Sequence, residues 1–249
     1  MKADMTQPTS IALITGASRG IGASMARRLA QDGYAIAINY ASQAQEAEAL
    51  AQALVQEGGQ AIAVRADISQ TDQVAALFNA VEQQLGKIDV LVNNAGVLTT
   101  SPLADTSDAL FAKTFAINTQ GVFNTLREAA TRMNAGGRII NISTTALALN
   151  LPGYAIYNGS QAAVEAFPRV FAKELRGRQI TVNAVAPGPV ATELFFAGKS
   201  EAQIEHFAKM PPLERLGEPE DIAAVVAFLA SKDSGWINGQ VLRANGGVA

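Results

Sequence analysis

The sequence predicts a single α/β domain built on a doubly wound, mostly parallel seven-stranded sheet with helices on both faces. Three observations predict it. Apolar, β-rich runs alternate with alanine-rich amphipathic stretches from one end of the chain to the other. The apolar runs have almost no polar face, as expected of parallel strands covered on both sides. Finally, 249 residues with 49% hydrophobic content suffice for one large core, and no repeat, low-complexity segment or linker divides them.

In order, the strand 11–15 runs through a glycine-rich loop into a helix at 20–32. Strands at 35–39, 61–65 and 90–92 are followed by helical patterns at 43–57, 70–85 and 105–133. Strand 138–142 precedes a helix at 155–176, and strand 181–186 precedes helices at 192–209 and 219–230. A short strand near Val241 closes the series. One residue conflicts with its element: Pro168 falls inside the 155–176 helix, where it removes an amide donor and crowds the carbonyl four residues back. The periodic Val164, Phe167, Val170 and Phe171 run across it, so a kink rather than a break is expected. Residues 1–10 read as a loose tail and 11–249 as the domain.

Composition removes several function classes. Lys+Arg 19 against Asp+Glu 22 gives a net charge of -3, with the basic residues scattered, so no nucleic-acid or anionic-membrane footprint is present. The longest apolar run, 222–230, is far short of a membrane span, and the first ten residues lack the apolar core of a signal peptide. A cytoplasmic location is expected. Cysteine is absent, which excludes disulfides, thiolate metal sites and cysteine nucleophiles, and no metal is expected. The single histidine, His206, comes without a G-x-S-x-G elbow and reads as a surface or packing residue.

The stretch "ALITGASRGIGASMARRLA" passes from strand to helix with Gly16, Gly20 and Gly22 spaced G-x-x-x-G-x-G. Such glycines let the backbone turn tightly and approach a pyrophosphate, which the helix N-terminus favours. Five further segments accompany it: "NNAG" at 93–96, Asn118 in "FAINTQGVF", "GGRIINIST" at 136–144, Tyr157 in "YNGSQAAVEAF", and "NAVAPGPVATEL" at 183–194. In this order and over nearly the whole chain, they resemble the short-chain dehydrogenase/reductase family, and its ketoacyl and carbonyl reductases in particular.

The resemblance implies a Rossmann-type fold holding a nicotinamide dinucleotide at the carboxyl ends of the strands. Gly16, Ser18, Arg19, Gly20, Ile21 and Gly22 would line the pyrophosphate and adenosine ribose, and Asp67, with Ile68 beside it, the adenine. Asn94, Ala95 and Gly96 would pass behind the cofactor, and Pro187, Gly188, Val190 and Thr192 would hold the carboxamide end. The second strand ends in "INYAS", where Asn39, Tyr40 and Ser42 stand in place of a carboxylate that would grip a ribose 2′-hydroxyl. Arg19 can supply a cation, so NADP(H) is favoured over NAD(H).

In enzymes of this kind a serine hydroxyl orients the carbonyl, a tyrosine moves the proton, a lysine four residues on stabilises the tyrosinate and binds the nicotinamide ribose, and an asparagine braces a water relay. Asn118 and Tyr157 match; the serine position falls on Thr144, with Ser143 adjacent and able to share the role. The lysine position is Gln161, which shares a helix face with Tyr157 but carries no charge. An ammonium about 4 Å from a phenolate contributes roughly 4 kcal/mol at an effective dielectric of about 20, worth up to about three pKa units. Three readings follow: an impaired reductase, a dinucleotide-binding protein without catalysis, and an enzyme recruiting another cation. Arg169, two turns beyond Gln161, is too far to replace it. Tyr154 reads as an aromatic pocket wall.

The implied chemistry is hydride transfer between nicotinamide and a small-molecule carbonyl or secondary alcohol. Phe195, Phe196, Ile204, Phe207 and Met210 form an apolar face that can close over an uncharged substrate. Family members are commonly tetramers that pair their long helices, here 105–133 and 155–176, so a homotetramer is expected, with Pro168 in the contact.

Overall fold

The structure is a computed structural model that describes residues 10–249. The tail expected over 1–10 lies, apart from the exposed Ser10, outside the described residues. Seven strands appear where apolar runs predicted them: β1 (Ile11–Ile14), β2 (Ala35–Tyr40), β3 (Ala61–Arg65), β4 (Val90–Asn93), β5 (Arg138–Ile142), β6 (Thr181–Pro187) and β7 (Val241–Ala244). They form one sheet in the order β3-β2-β1-β4-β5-β6-β7. Every pairing is parallel, so "mostly parallel" becomes wholly parallel.

Two-residue alternation divides the strands between two cores. Ala12 and Ile14 of β1 and Val90 and Val92 of β4 pack on one face, under α1 (Gly20–Gln31), α2 (Ala44–Gln56) and α10 (Pro219–Ala230). Ile11, Leu13 and Leu91 point to the other, under α3 (Thr71–Gln84), α5 (Gly121–Arg132) and α7 (Ala155–Glu174). Burial on both faces explains why these strands read as unbroken apolar runs.

Two long helical expectations are corrected. The 105–133 stretch is α4 (Asp108–Phe115), a π-helical segment Ala116–Gln120, and α5. Ser107 caps α4 by accepting from the Leu110 amide at 3.2 Å, which moves its start three residues along. The π segment carries Asn118, whose side chain is held by a distant backbone, and Gly121 after it packs so tightly that a Cβ would lie 2.5 Å from Ile68 Cδ1. The 192–209 stretch splits into α8 (Glu193–Phe196) and α9 (Glu201–Lys209). Gly198 adopts a left-handed φ of 73° between them, and Ser200 opens α9 with a capping box to Gln203. A short helix the sequence did not announce, α6 (Ala146–Leu149), follows β5. α7 is one element of 20 residues that runs through Pro168.

The connection after β1 leads outward to β2, whereas β4 adds to the opposite side of β1. The carboxyl ends of β1 and β4 therefore flank the point where the winding reverses, where an open parallel sheet leaves a crevice. Among the described residues no helix is long and apolar enough to cross a membrane.

Candidate active site

The crevice is built first from backbone. Thr15, fully buried at the end of β1, accepts at Oγ1 from the Asn94 and Ala95 amides at 3.0 and 3.1 Å. Asn94 returns the link, its Nδ2 donating to the carbonyls of Thr15 and Gly16 at 3.0 and 2.9 Å. The loops after β1 and β4 are thereby tied into one wall. Thr15 was not among the residues the sequence singled out; its position just before Gly16 at a strand end is the signal that marks it.

A side chain cannot enter this wall. Gly16 has φ 60°, and a Cβ there would lie 2.7 Å from Ala95 Cα. A Cβ on Gly22 would lie 2.6 Å from the Gly16 carbonyl oxygen and 2.7 Å from Ala17 Cα. Arg19 occupies the N-cap of α1 without capping it, and no acidic residue stands in the first turn, so the N–H groups remain available to an anion. Because the clash is with backbone, Gly22→Ala is expected to cost about 1–3 kcal/mol of stability and at least about tenfold in dinucleotide affinity. Thermal denaturation and cofactor titration of the variant check both numbers.

Gly16, Ser18, Arg19, Gly20, Ile21, Gly22, Tyr40, Ser42, Ile68, Ala95 and Gly96 line a single cleft with Asn39, Asp67, Asn94 and Thr192. Two of these serve the scaffold. Asn39 is 2% exposed; its Oδ1 accepts from the Gly16 amide and its Nδ2 donates to the Ala66 carbonyl at 3.0 Å, so it braces the glycine loop against β3. Asp67 accepts at Oδ1 from the Ser69 amide and hydroxyl at 2.9 and 2.8 Å. Arg19, the one cation lining the cleft among the described residues, pairs with Glu193 Oε2 at 2.6 Å.

A second pocket opens from the same cleft, sharing Ile21, Asn94, Gly96 and Thr192. Into it project Ser143, Thr144, Tyr157 and Gln161, with Pro187, Gly188 and Val190 on its floor. Its remaining wall is apolar and aromatic: Leu98, Leu149, Leu151, Tyr154, Phe195 and Phe207. Leu149 belongs to α6 and was invisible to periodicity, because one turn of helix is too short to show a period. Tyr154 meets Tyr157 edge-on at 6.2 Å, and Phe195 meets Phe207 edge-on at 5.5 Å. His206 points outward and takes no part in the pocket.

α7 carries Tyr157 and Gln161 one turn apart on the face that meets this pocket. The Tyr157 residue keeps partial exposure along the cleft wall, but its hydroxyl end is enclosed, and that end governs ionisation. Desolvation pushes the phenol up to about 12; the neighbouring Thr144 hydroxyl opposes this, and Tyr154 adds to it. Thr144 Oγ1 also accepts from the Ala146 amide at 3.1 Å, which fixes its orientation. Ser143 donates to Glu165 Oε1 at 2.9 Å and is committed to α7, so of the two adjacent hydroxyls Thr144 is the one beside the tyrosine.

Gln161 is 6% exposed, and its Oε1 is buried without a hydrogen-bond partner. No lysine, arginine or histidine lines this pocket among the described residues. Arg169 is exposed, donates to the Glu165 carbonyl at 3.3 Å and does not line this pocket. Asn118, 1% exposed, stands behind the pocket wall. It accepts from the Val97 amide at 2.8 Å and donates to the Val97 carbonyl at 2.9 Å and Ser160 Oγ at 3.0 Å. It thus ties the loop after β4 to α7, one turn from Tyr157.

A dinucleotide fits this arrangement. The cleft excludes a Cβ where a pyrophosphate would pass, an uncapped helix end and one arginine favour phosphate, and an orphaned amide oxygen awaits a donor such as a ribose hydroxyl.

Residues 16–249 match a family model described as "Enoyl-(Acyl carrier protein) reductase". A "Short-chain type dehydrogenase/reductase" of Picea abies is 47% identical over 247 residues, spanning 95% of this chain and 91% of that protein. An Arabidopsis thaliana "NADPH-dependent aldehyde reductase-like protein, chloroplastic" is 41% identical over 95% of this chain and 93% of its own length. Among solved structures, a blue fluorescent protein from a metagenomic library in complex with NADPH superposes with a TM-score of 0.91 at 37% identity, covering 96% of this chain and 98% of that one.

Proposed function

Because the chain belongs to the short-chain dehydrogenase/reductase family, we propose that it is an NADP(H)-dependent oxidoreductase interconverting an uncharged, apolar carbonyl compound and its secondary alcohol, at a rate held down by Gln161. The observation that carries this reading is the Tyr157–Thr144 pair at the junction of a glycine-lined cleft and an apolar pocket that no cation lines among the described residues. NADP(H) is supported by Arg19, by the absence of a carboxylate at the end of β2, and by relatives whose names carry NADPH.

Nicotinamide, when bound, supplies or takes the hydride. Thr144 and Tyr157 donate hydrogen bonds to the carbonyl oxygen, and Tyr157 delivers its proton there as negative charge develops. Gln161 would accept from a ribose hydroxyl of the cofactor at its unpaired Oε1, satisfying a buried atom. Its amide leaves the tyrosinate without a countercharge. The aromatic wall favours a flat, bulky substrate over a phosphorylated one. Exposed Phe111 and Phe123 on α4–α5 and Val170 on α7 support a homotetramer paired through these helices.

The test is NADPH titration followed by a panel of aryl ketones, aldehydes and an α,β-unsaturated thioester. Slow NADPH oxidation with aryl ketones is expected. Tight NADPH binding with no turnover on any member would instead favour a non-catalytic NADP(H)-binding protein, the reading that the missing cation also permits.

A further inference from the structure

We propose that Glu193 is a specificity-determining residue that competes with the 2′-phosphate of NADP(H) for Arg19, an inference that rests on the NADP(H) reading above. Among the described residues, three charged side chains line the dinucleotide cleft: Arg19, Asp67 and Glu193. The Asp67 carboxylate is engaged by the Ser69 amide and hydroxyl. Glu193 instead reaches from the start of α8 to the glycine loop and meets Arg19 Nη1 at 2.6 Å. Among the described residues, the only cation facing the cleft is therefore held by a carboxylate of the chain itself.

The pair is weak enough to exchange. The Arg19 and Glu193 side chains are 54% and 76% exposed, and ion pairs in such surroundings contribute little. A phosphate monoester carries more charge than a carboxylate and matches the guanidinium fork in two hydrogen bonds, so it displaces Glu193. The displaced carboxylate stays near a dianion and weakens its binding. A dinucleotide with a free 2′-hydroxyl does not need Arg19 and leaves the pair intact. Glu193 thus lowers the preference for the phosphorylated cofactor below what Arg19 alone would give.

α8 continues into Phe195, and the Gly20 backbone lies against Thr192, where a Cβ on Gly20 would meet Thr192 Cγ2 at 3.6 Å. Thr192 Oγ1 accepts from the Phe195 amide at 3.2 Å, so the Arg19 partner and the substrate wall share one rigid turn. The exchange therefore takes place beside the substrate wall.

The experiment measures equilibrium affinities for NADPH and NADH on the unaltered protein, Glu193→Gln, Arg19→Gln and the double variant. Glu193→Gln is expected to tighten NADPH by about three- to tenfold and to leave NADH within about twofold, with no such gain when Arg19 is already glutamine. Equal effects on both cofactors, no effect on either, or a gain that survives in the Arg19→Gln background overturns the proposal. Failure of the unaltered protein to prefer NADPH at all overturns the cofactor reading instead, and the proposal with it.

Discussion

Gln161→Lys is expected to raise the rate of ketone reduction by about 10²–10⁴-fold, the range that effective acid–base participation supplies. The reasoning starts from Tyr157, whose enclosed hydroxyl holds its proton up to about 12, so it is a weak acid toward a developing alkoxide. Position 161 lies one helical turn along α7, on the face that lines the same pocket, and is 6% exposed. An ammonium there, about 4 Å from the phenolate, lowers that value by up to about three pKa units at an effective dielectric of about 20. The gain appears in kcat rather than in KM, because the charge acts on the ionising phenol and not on the ketone. The lysine places an ammonium in a buried position, so some loss of thermal stability accompanies the gain, relieved by the phenolate and by Glu165 one turn further on. Steady-state kinetics with one good aryl ketone, at saturating NADPH, measures the effect.

Tyr157→Phe is expected to lower the present rate by about 10²-fold and the rate of the lysine form by that factor and the whole lysine gain together, about 10⁴–10⁶-fold. Phenylalanine keeps the ring, with its edge contact to Tyr154, and removes only the hydroxyl beside Thr144. NADPH affinity should stay within about twofold, since the cleft residues are separate from that hydroxyl. The two substitutions are non-additive: the lysine has nothing to stabilise once the phenol is gone, so its gain disappears in the phenylalanine background. A four-protein cycle on one substrate shows whether the coupling exists.

The sheet was legible because strands covered on both faces are made mostly of apolar residues. The run predicted at 138–142 coincides with β5, and 35–39 falls one residue short of β2. Helix ends were legible as well, within two residues for α1, α2, α3 and α10. The 105–133 stretch misled because its 3.6-residue period persists while the interruption is tertiary: Asn118 closes on the Val97 backbone, and Gly121 gives way to Ile68. Likewise, a glycine spacing names residues near a phosphate but not what they already hold. The bracing role of Asn39, the stitching by Thr15, the commitment of Ser143 to Glu165 and the Arg19–Glu193 pair all join residues far apart in the chain. The pocket wall from α6 was missed because one turn of helix is too short to show a period, whereas Tyr154, in the turn before α7, was read as a pocket wall.

The most direct test is the pH dependence of alcohol oxidation by the present chain and by Gln161→Lys, measured side by side with saturating NADP⁺. Oxidation needs tyrosinate, and a phenol raised to about 12 is almost wholly protonated at neutral pH. The rate should therefore climb about tenfold per pH unit in the unaltered chain, without levelling below the pH at which the protein unfolds. In the lysine form the same climb should level near pH 9, since the ammonium lowers the phenol by up to about three pKa units. Ketone reduction, which uses the phenol, should be flat through the neutral range in both. Two superimposable profiles, or a plateau near neutrality in the unaltered chain, would show that Tyr157 is not the acid–base group and would contradict the account.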